Sequence, residues 1–191
     1  LTFRHAGILN KYRSPNILFD GIRQFLEKNK SAGNMIRFEF LGRNYAGLNS
    51  EALKPPNDLK QIVRFYDQKD LKNTWEWMAK ADVLLLLEFR FSKGIFFYAK
   101  LSDYLHTSRP ILALSPQNGV VADLFKDGGG GIVTPDNVKH IGETINEIFS
   151  LWESEDLNQI TKYKSLAERV HPDKIIPIYE KAFEKAIINN S

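Results

Sequence analysis

The 191-residue sequence contains no cysteine. Without a thiol, the chain has no disulfide framework, no thiolate nucleophile and no cysteine-based metal site. It also lacks any apolar run near the roughly 20 residues that a membrane helix needs, and the run Val83–Leu87 is only as long as a strand. These absences exclude a disulfide-stabilised domain, a thiol enzyme and a transmembrane helix within this sequence, and they favour a soluble chain.

A strong charge of one sign is also missing. The formal net charge is +3, and the 26 lysines and arginines are scattered through the sequence. A nucleic-acid-binding protein concentrates its basic residues on one face, so we predict no nucleic-acid partner. Three histidines, at positions 106, 140 and 171, lack metal-ligand spacing, and we predict no metal and no cofactor. His5, near the end of the first strand, is in a position to approach a site, with a structural role as the alternative.

Segments typical of strands and helices alternate over the first 150 residues. The predicted strands cover residues 2–9 with an end near Gly7, 36–41, 63–66, 82–88, 110–114 and 131–134. The predicted helices cover residues 14–26 with Ser14 as N-cap, 71–81, 96–107, 120–126 and 137–152. About six strands alternating with helices predict an α/β fold, a Rossmann-like doubly wound parallel sheet with helices on both faces.

The pattern changes after residue 153. Residues 157–190 are predicted to be helical with a break near His171 and Pro172, because the residue before proline avoids helical geometry. We therefore predict a Rossmann-like domain over residues 1–153 and a C-terminal helical extension over residues 154–191. The sequence begins without methionine and reaches a strand within a few residues, which predicts that a further segment precedes it in the full protein.

Four segments occur in an order and spacing typical of one enzyme class. They read HAGILNKYRSPNILFDGI, MAKADVLLLL, AKLSDYLHTSRPILALSP and VVADLFKDGGGGIVTPDNVKHIGETI. Together they resemble the C-terminal, nucleotide-sugar-binding domain of GT-B glycosyltransferases, especially the retaining, family 4-like (group 1) enzymes. The third segment resembles the family signature K-x-x-E-Y-L-x-x-x-x-P-I-L-A. The glycine run, residues 128–131, lacks the features of a P-loop and is predicted to be a helix-ending turn.

The resemblance implies a hexosyltransferase-like enzyme that moves a sugar from a nucleoside-diphosphate sugar to an acceptor, in polysaccharide or glycoconjugate biosynthesis. It implies a second, N-terminal Rossmann-like domain that binds the acceptor and is absent from this chain, so the chain alone is expected to be inactive. It also implies a cytoplasmic protein, with peripheral association at the inner face of a membrane when full-length. Transfer would take place in the cleft between the two domains.

The resemblance assigns Asp103 to the two ribose hydroxyls, where the family usually has a glutamate. A carboxylate suits a vicinal diol because its two oxygens accept two hydrogen bonds. Lys100 lies three residues earlier, on the same face of a predicted helix, and is expected to reach the diphosphate. The structural alternatives are a solvated carboxylate for Asp103 and a simple i, i+3 ion pair between the two.

The resemblance assigns the diphosphate to residues near two helix starts. Arg13 stands where the family has a cation that neutralises the departing diphosphate, although it also fits a solvated turn. Gly7 is the loop glycine, and Lys11 is a substitute for the second basic residue of the family. Gly94 is expected to sit just before a helix whose N–H groups favour a phosphate. Ile95 occupies the position of the family's first glutamate, which leaves the identity of the sugar open.

Two aromatic positions complete the site hypotheses. Tyr66, followed by Asp67 and Gln68, comes directly after a predicted strand, at the edge where open α/β sheets bind ligands, and is assigned to the base. Trp75, Trp77 and Met78 could form a stacking platform for nucleic acid, but their spacing fits helix packing better. Two other functions stay open: a degenerate GT-B domain acting as a scaffold or sugar-binding module, and a GT-B nucleotide-sugar epimerase or hydrolase.

Overall fold

The computed structural model of the chain describes residues 1–10, 12–42, 54–88, 92–128, 131–135, 137–160, 168 and 171–188. The strands are β1 (Thr2–Ala6), β2 (Arg37–Leu41), β3 (Val63–Tyr66), β4 (Val83–Leu87), β5 (Ile111–Leu114) and β6 (Gly131–Thr134). The α-helices are α1 (Asn16–Lys28), α2 (Leu71–Ala79), α3 (Ala99–His106), α4 (Val120–Gly128), α5 (Val138–Glu153) and α6 (Pro172–Ile188). Short 3₁₀ helices span Lys30–Asn34 and Leu157–Gln159.

The six strands form one parallel sheet in the order β3-β2-β1-β4-β5-β6. Phe3 pairs with Phe38 on one side of β1 and with Val83 on the other. All five residues of β4 are buried, as expected for an apolar strand covered by helices on both faces. The predicted doubly wound, Rossmann-like α/β fold is confirmed.

Two apolar clusters cover the two faces of the sheet. On one face, α1 and α5 contribute Leu18, Ile22, Phe25, Ile141 and Ile145. On the other face, α2, α3 and α4 contribute Met78, Leu101, Tyr104, Leu105, Val121 and Phe125. This second layer matters for function, because α2 and α3 begin at the carboxyl edge of the sheet, where the strands end.

Helix α1 begins one residue later than predicted. Pro15 is its N-cap, and Ser14 lies one residue before it, with the Ser14 hydroxyl accepting a 3.3 Å hydrogen bond from Asn16 N–H. Proline therefore occupies the N-cap and does not form the first helical position.

Helix α3 begins later than predicted, at Ala99 and not at residue 96. The segment before it is held by pairing with the loop after β5: Gly94 N–H donates to Asn118 O (2.9 Å), and Val120 N–H donates to Gly94 O (2.9 Å). Phe97, within the predicted helix, is 46% exposed because it belongs to this segment and not to the helix.

The C-terminal extension is only partly described. Helix α6 starts at Pro172, so the predicted break at His171 is confirmed. Residues 161–167, 169–170 and 189–191 of the predicted helical tail lie outside the described residues. So do Gly129 and Gly130 of the predicted glycine turn, between the end of α4 and the start of β6. None of the helices in the described part of the chain is long and apolar enough to cross a membrane.

Candidate nucleotide-sugar site

A cavity of about 460 Å³ opens at the carboxyl edge of the sheet, between the ends of β1 and β2 and the helices α2 and α3. Its lining residues are Ala6, Gly7, Ile8, Leu41, Gly42, Gln68, Lys69, Leu71, Thr74, Trp75, Met78, Lys100, Asp103 and Tyr104. The strand order reverses between β1 and β4, and this reversal is where open α/β sheets bind ligands. The volume falls within the range of small-molecule sites, about 300–1,000 Å³.

Two glycines form the floor of this cavity. Gly7 N–H donates to Leu41 O at 2.8 Å, which continues the pairing of β1 and β2 beyond the strands. A Cβ on Gly42 would overlap with Gly7 O, and a Cβ on Gly7 would overlap with Lys100 Nζ. Glycine at both positions is what allows the two loops and the lysine to approach one another.

Lys100 brings a largely buried ammonium into the cavity. Burial, together with the nearby charge of Arg13, lowers the pKa of Lys100 from 10.5 to about 8. Lys100 Nζ has no hydrogen-bond partner among the described residues. A desolvated cation without a partner has a strong tendency to bind an anion.

Asp103 lies one turn further along α3 and is half-buried. Burial raises the pKa of Asp103, and the charge of His106 opposes this effect. Lys100 and Asp103 do not form the ion pair with each other that the spacing allowed, since Lys100 Nζ has no partner in the part of the chain that the structure describes. Both side chains line the cavity, so a cation and a carboxylate are available to one ligand.

His5 lies near the end of β1, two residues before Gly7, and is fully buried. Its Nδ1 lies 2.9 Å from Leu85 O. Burial, followed by the charge of Lys100, lowers the pKa of His5 well below 6.5, so the ring is neutral at physiological pH. The hydroxyl of Tyr104 accepts from Ala6 N–H at 2.9 Å and donates to the same Leu85 oxygen at 3.1 Å. His5 does not line the cavity itself but lies next to Gly7, which does, and its approach to a functional site stays a prediction.

Arg13 does not line the cavity but belongs to an adjoining cluster. Its guanidinium lies over the ring of Tyr98, 4.6 Å from the centroid. The buried Glu88 accepts hydrogen bonds from the Ser115 and Tyr98 hydroxyls. Burial raises the pKa of Glu88, against the effects of these hydrogen bonds and of the Arg13 charge. The cluster joins the loops that follow β1, β4 and β5. Lys11, the predicted second basic residue, lies outside the described residues.

Gly94 and Ile95 differ from their predicted placement. Gly94 does not directly precede a helix start, since four residues separate it from Ala99, and its N–H donates to Asn118 O. A Cβ on Gly94 would lie 2.8 Å from Glu88 Oε1, so this glycine covers the Glu88 carboxylate. Ile95 is 63% exposed. Neither residue lines the cavity.

Tyr66 is not among the residues that line the cavity, and its assignment to the base stays a prediction. Its hydroxyl donates to Glu39 Oε1 at 3.1 Å, and Arg4 Nε donates to the other Glu39 oxygen at 2.8 Å. From the same loop, Gln68 and Lys69 line the cavity instead. Trp77 packs against the core and carries the Arg4 guanidinium over its ring, which confirms the packing interpretation of this residue.

The sequence interpretation missed Glu88, Tyr98 and Ser115. A signal for Glu88 exists in the sequence, because an acidic residue directly follows a fully apolar strand at the ligand-binding edge. Tyr98 and Ser115 carry no such signal, since their contact with Glu88 depends on tertiary pairing. Among the described residues, no group of three or more His, Asp and Glu side chains could hold a metal ion.

The sheet, its helices and the crevice at the strand reversal define a Rossmann-like domain of the kind found in solved glycosyltransferase structures. No protein-family profile matches the sequence, and no curated protein sequence matches it. Solved structures do match, at sequence identities that establish the fold alone.

Three of these structures illustrate the likeness. HepE from Anabaena, in complex with UDP, is 14% identical with a TM-score of 0.69, and the match covers 97% of this chain and 48% of HepE. The pneumococcal O-GlcNAc transferase GtfA, in complex with UDP and GlcNAc, is 14% identical with a TM-score of 0.69, and the match covers 97% of this chain and 36% of GtfA. A glycosyltransferase from Rickettsia africae ESF-5 is 11% identical with a TM-score of 0.68, and the match covers 100% of this chain and 48% of the Rickettsia protein. The chain spans about half the length of HepE and of the Rickettsia protein.

Proposed function

We propose that this chain is the donor-binding domain of a glycosyltransferase, which holds a nucleoside-diphosphate sugar in the cavity at the strand reversal. The observation that carries the proposal is that a buried Lys100 ammonium, with no hydrogen-bond partner among the described residues, and the Asp103 carboxylate line the same cavity one helical turn apart. The likeness to HepE and GtfA supports it, because both were solved with UDP bound.

The cavity offers a place for each part of the nucleotide. Asp103 accepts hydrogen bonds from the two ribose hydroxyls, and Lys100 contacts the diphosphate. The base lies against the apolar part of the lining, which Leu71, Trp75 and Met78 provide on α2. Gln68 and Lys69, at the entrance of this part, replace Tyr66 as the residues closest to the base.

The chemistry of transfer requires stabilisation of the leaving group. As the bond between the sugar and the diphosphate breaks, negative charge accumulates on the diphosphate, and fixed cations lower the energy of that state. Lys100 and Arg13 supply these cations, and Tyr98 and Glu88 surround Arg13. Retention of configuration, a hexosyl donor and a role in polysaccharide or glycoconjugate synthesis belong to the same proposal, as does a cytoplasmic location with peripheral membrane association.

The acceptor belongs to a second domain. Because the chain spans about half the length of HepE, we assign acceptor binding to an additional Rossmann-like domain of the full-length protein. The cleft between the two domains would hold both substrates, so the 191-residue chain is expected to bind donor without transferring the sugar.

Calorimetric titration of the chain with UDP, GDP, ADP and dTDP tests the proposal. We expect one diphosphate to bind with a clear preference, and Asp103→Ala to weaken its binding at least tenfold. Asp123→Ala, which removes an exposed carboxylate on α4, is the matched control and should bind normally. The 2′,3′-dideoxy form of the preferred nucleotide should bind wild type and Asp103→Ala equally. Failure of all four nucleotides to bind at millimolar concentration would overturn the proposal.

One observation favours a second function, that of a binding module without transferase activity. Ile95 stands exposed where the resembled enzymes carry a glutamate, so the sugar loses one carboxylate contact. The full-length protein separates the two functions: slow hydrolysis or transfer of the bound nucleotide-sugar supports the enzyme, and tight binding without any turnover supports the module.

A further inference from the structure

His5 has a fixed tautomer. Its Nδ1 faces the Leu85 carbonyl oxygen at 2.9 Å, and a carbonyl oxygen only accepts hydrogen bonds. Nδ1 therefore carries the hydrogen, and in the neutral ring Nε2 carries the lone pair. The Tyr104 hydroxyl donates to the same carbonyl oxygen and accepts from Ala6 N–H. The polar groups on the Nδ1 side of the ring are therefore hydrogen-bonded to one another.

The other side of the ring faces Lys100. A Cβ on Gly7 would overlap with Lys100 Nζ and would lie 3.7 Å from His5 Nε2, so both nitrogen atoms lie beside the bare Cα of this glycine. Neither nitrogen has a hydrogen-bond partner among the residues that the structure describes, and both are buried. Buried polar atoms in proteins are almost always hydrogen-bonded.

The two atoms are chemically complementary. Nε2 of this tautomer is an acceptor, and an ammonium has three donors. Among the described residues no other group bonds to the ring, since Nδ1 is engaged by Leu85 O and the Phe40 ring packs against His5 with its centroid 6.1 Å away. One hydrogen bond between the two side chains would satisfy Nε2 and leave two ammonium donors directed into the cavity.

We propose that His5 is a positioning residue for the donor diphosphate: its Nε2 accepts one N–H of Lys100 and thereby directs the other two at the phosphate oxygens. This inference rests on the proposed function, because it gives Lys100 a diphosphate to bind. It adds a residue that makes no contact with the ligand itself. Gly7 is part of the arrangement, because any side chain at this position would separate the two nitrogens.

Two substitutions of His5 test the two ring nitrogens separately, because each places a side-chain amide near only one of them. His5→Asn keeps a donor near the position of Nδ1, toward Leu85, and lacks an acceptor near Nε2. His5→Gln places an amide oxygen near Nε2. We expect His5→Asn to weaken the binding of UDP and of inorganic pyrophosphate about tenfold, which is typical of losing a hydrogen bond to a charged group. His5→Gln should recover most of this loss, and uridine should bind all three proteins equally. His140→Asn, an exposed histidine on α5, is the control.

A double-mutant cycle tests the coupling to Lys100. In a Lys100→Met background, His5→Asn should have no further effect on UDP binding, because the group that it positions is gone. ¹⁵N NMR of the ligand-free protein gives an independent readout: the Nε2 resonance of His5 should show an accepted hydrogen bond in wild type and lose it in Lys100→Met.

The outcomes separate the two proposals. If wild type binds UDP and Lys100→Met weakens the binding, but His5→Asn binds as wild type does, the positioning role is overturned and the proposed function stands. An equal loss for UDP and uridine in His5→Asn would also overturn it, because that pattern indicates a distorted cavity. If wild type binds none of UDP, GDP, ADP and dTDP and no pyrophosphate, both proposals are overturned together.

Discussion

The guanidinium of Arg13 lies over the ring of Tyr98, 4.6 Å from its centroid, at the boundary between the loops that follow β1 and β4. The hydroxyl of the same tyrosine donates to the buried carboxylate of Glu88. Tyr98 thus presents its face to a cation and its edge to an anion. The Tyr98 ring is therefore one of the contacts that hold the Arg13 charge beside the cavity.

This arrangement predicts different effects for two substitutions of Tyr98. Tyr98→Leu removes the ring and should weaken UDP binding by about 1 kcal/mol, the typical strength of a partly desolvated cation–π contact. Tyr98→Phe keeps the ring and should lose less. Calorimetry measures both, with Tyr179→Leu on the exposed face of α6 as the control. Equal affinities for Tyr98→Leu and wild type would show that the ring does not hold Arg13 in the site.

Lys100→Met is predicted to stabilise the ligand-free protein while it weakens nucleotide binding. Each pKa unit corresponds to about 1.4 kcal/mol, so a pKa lowered from 10.5 to about 8 costs the fold roughly 3 kcal/mol at pH 7. Methionine has a similar shape and no charge to bury. Urea unfolding at pH 7 should show a higher free energy of unfolding for the variant, and Lys126→Met, which removes an exposed lysine on α4, should show no gain.

The same substitution carries a pH signature. Between pH 8 and pH 10.5 the unfolded chain keeps the Lys100 proton and the folded chain loses it, so wild-type stability from this group rises with pH across this window. Below pH 8 the full penalty is present. The advantage of Lys100→Met should therefore shrink between pH 8 and pH 10. A constant difference between the two proteins over this range would contradict the burial of the ammonium.

Gly7→Ala is predicted to damage both stability and binding. Gly7 has a φ of 142°, which residues with a side chain rarely adopt, and an alanine Cβ would overlap with Lys100 Nζ. We expect a loss of about 1–3 kcal/mol in the free energy of unfolding, together with weaker UDP binding. Gly33→Ala is the matched control, because its Cβ would meet Leu26 at an ordinary 3.8 Å, and it should be neutral or slightly stabilising.

Gly21→Ala is predicted to reduce stability without acting on the site directly. Gly21 lies on α1 where it crosses α5, and an alanine Cβ would overlap with the Cγ2 methyl of Ile141. Overpacking of this kind costs about 1–3 kcal/mol. Thermal unfolding measures the loss, and UDP affinity of the folded variant should equal that of wild type. Ile141→Ala should cost less in the Gly21→Ala background than alone; strict additivity would argue against this contact.

The strands were predictable because their patterns are local. The apolar pattern predicts a strand buried on both faces over residues 82–88, and the observed β4, Val83–Leu87, is one residue shorter at each end. The start of α3 was not predictable from local pattern. Apolar residues before Ala99 have helical spacing, but the hydrogen bonds between Gly94 and the loop after β5 keep the segment extended. A contact between residues so distant in sequence leaves no periodic signal.

The candidate site was predictable to a similar degree. The spacing of Lys100 and Asp103 places both on one face of α3, and the cavity contains both, although their roles stay predictions. Tyr66 illustrates the limit: its position after a strand indicates the ligand-binding edge, but the sequence does not reveal that Glu39 on the neighbouring strand accepts its hydroxyl. Burial of Lys100, on which the proposed binding of an anion rests, likewise depends on the tertiary fold.

Two contacts between glycines, Gly7 with Gly42 and Gly94 with Gly119, join neighbouring loops at the carboxyl edge through main-chain atoms. The backbone at this edge, which includes the cavity floor at Gly7 and Gly42, is therefore insensitive to most side chains around it. For directed evolution of nucleotide preference, these four positions are best held constant. Gln68, Lys69 and Thr74, which line the opposite wall from α2 and the loop before it, can be randomised with little risk to folding.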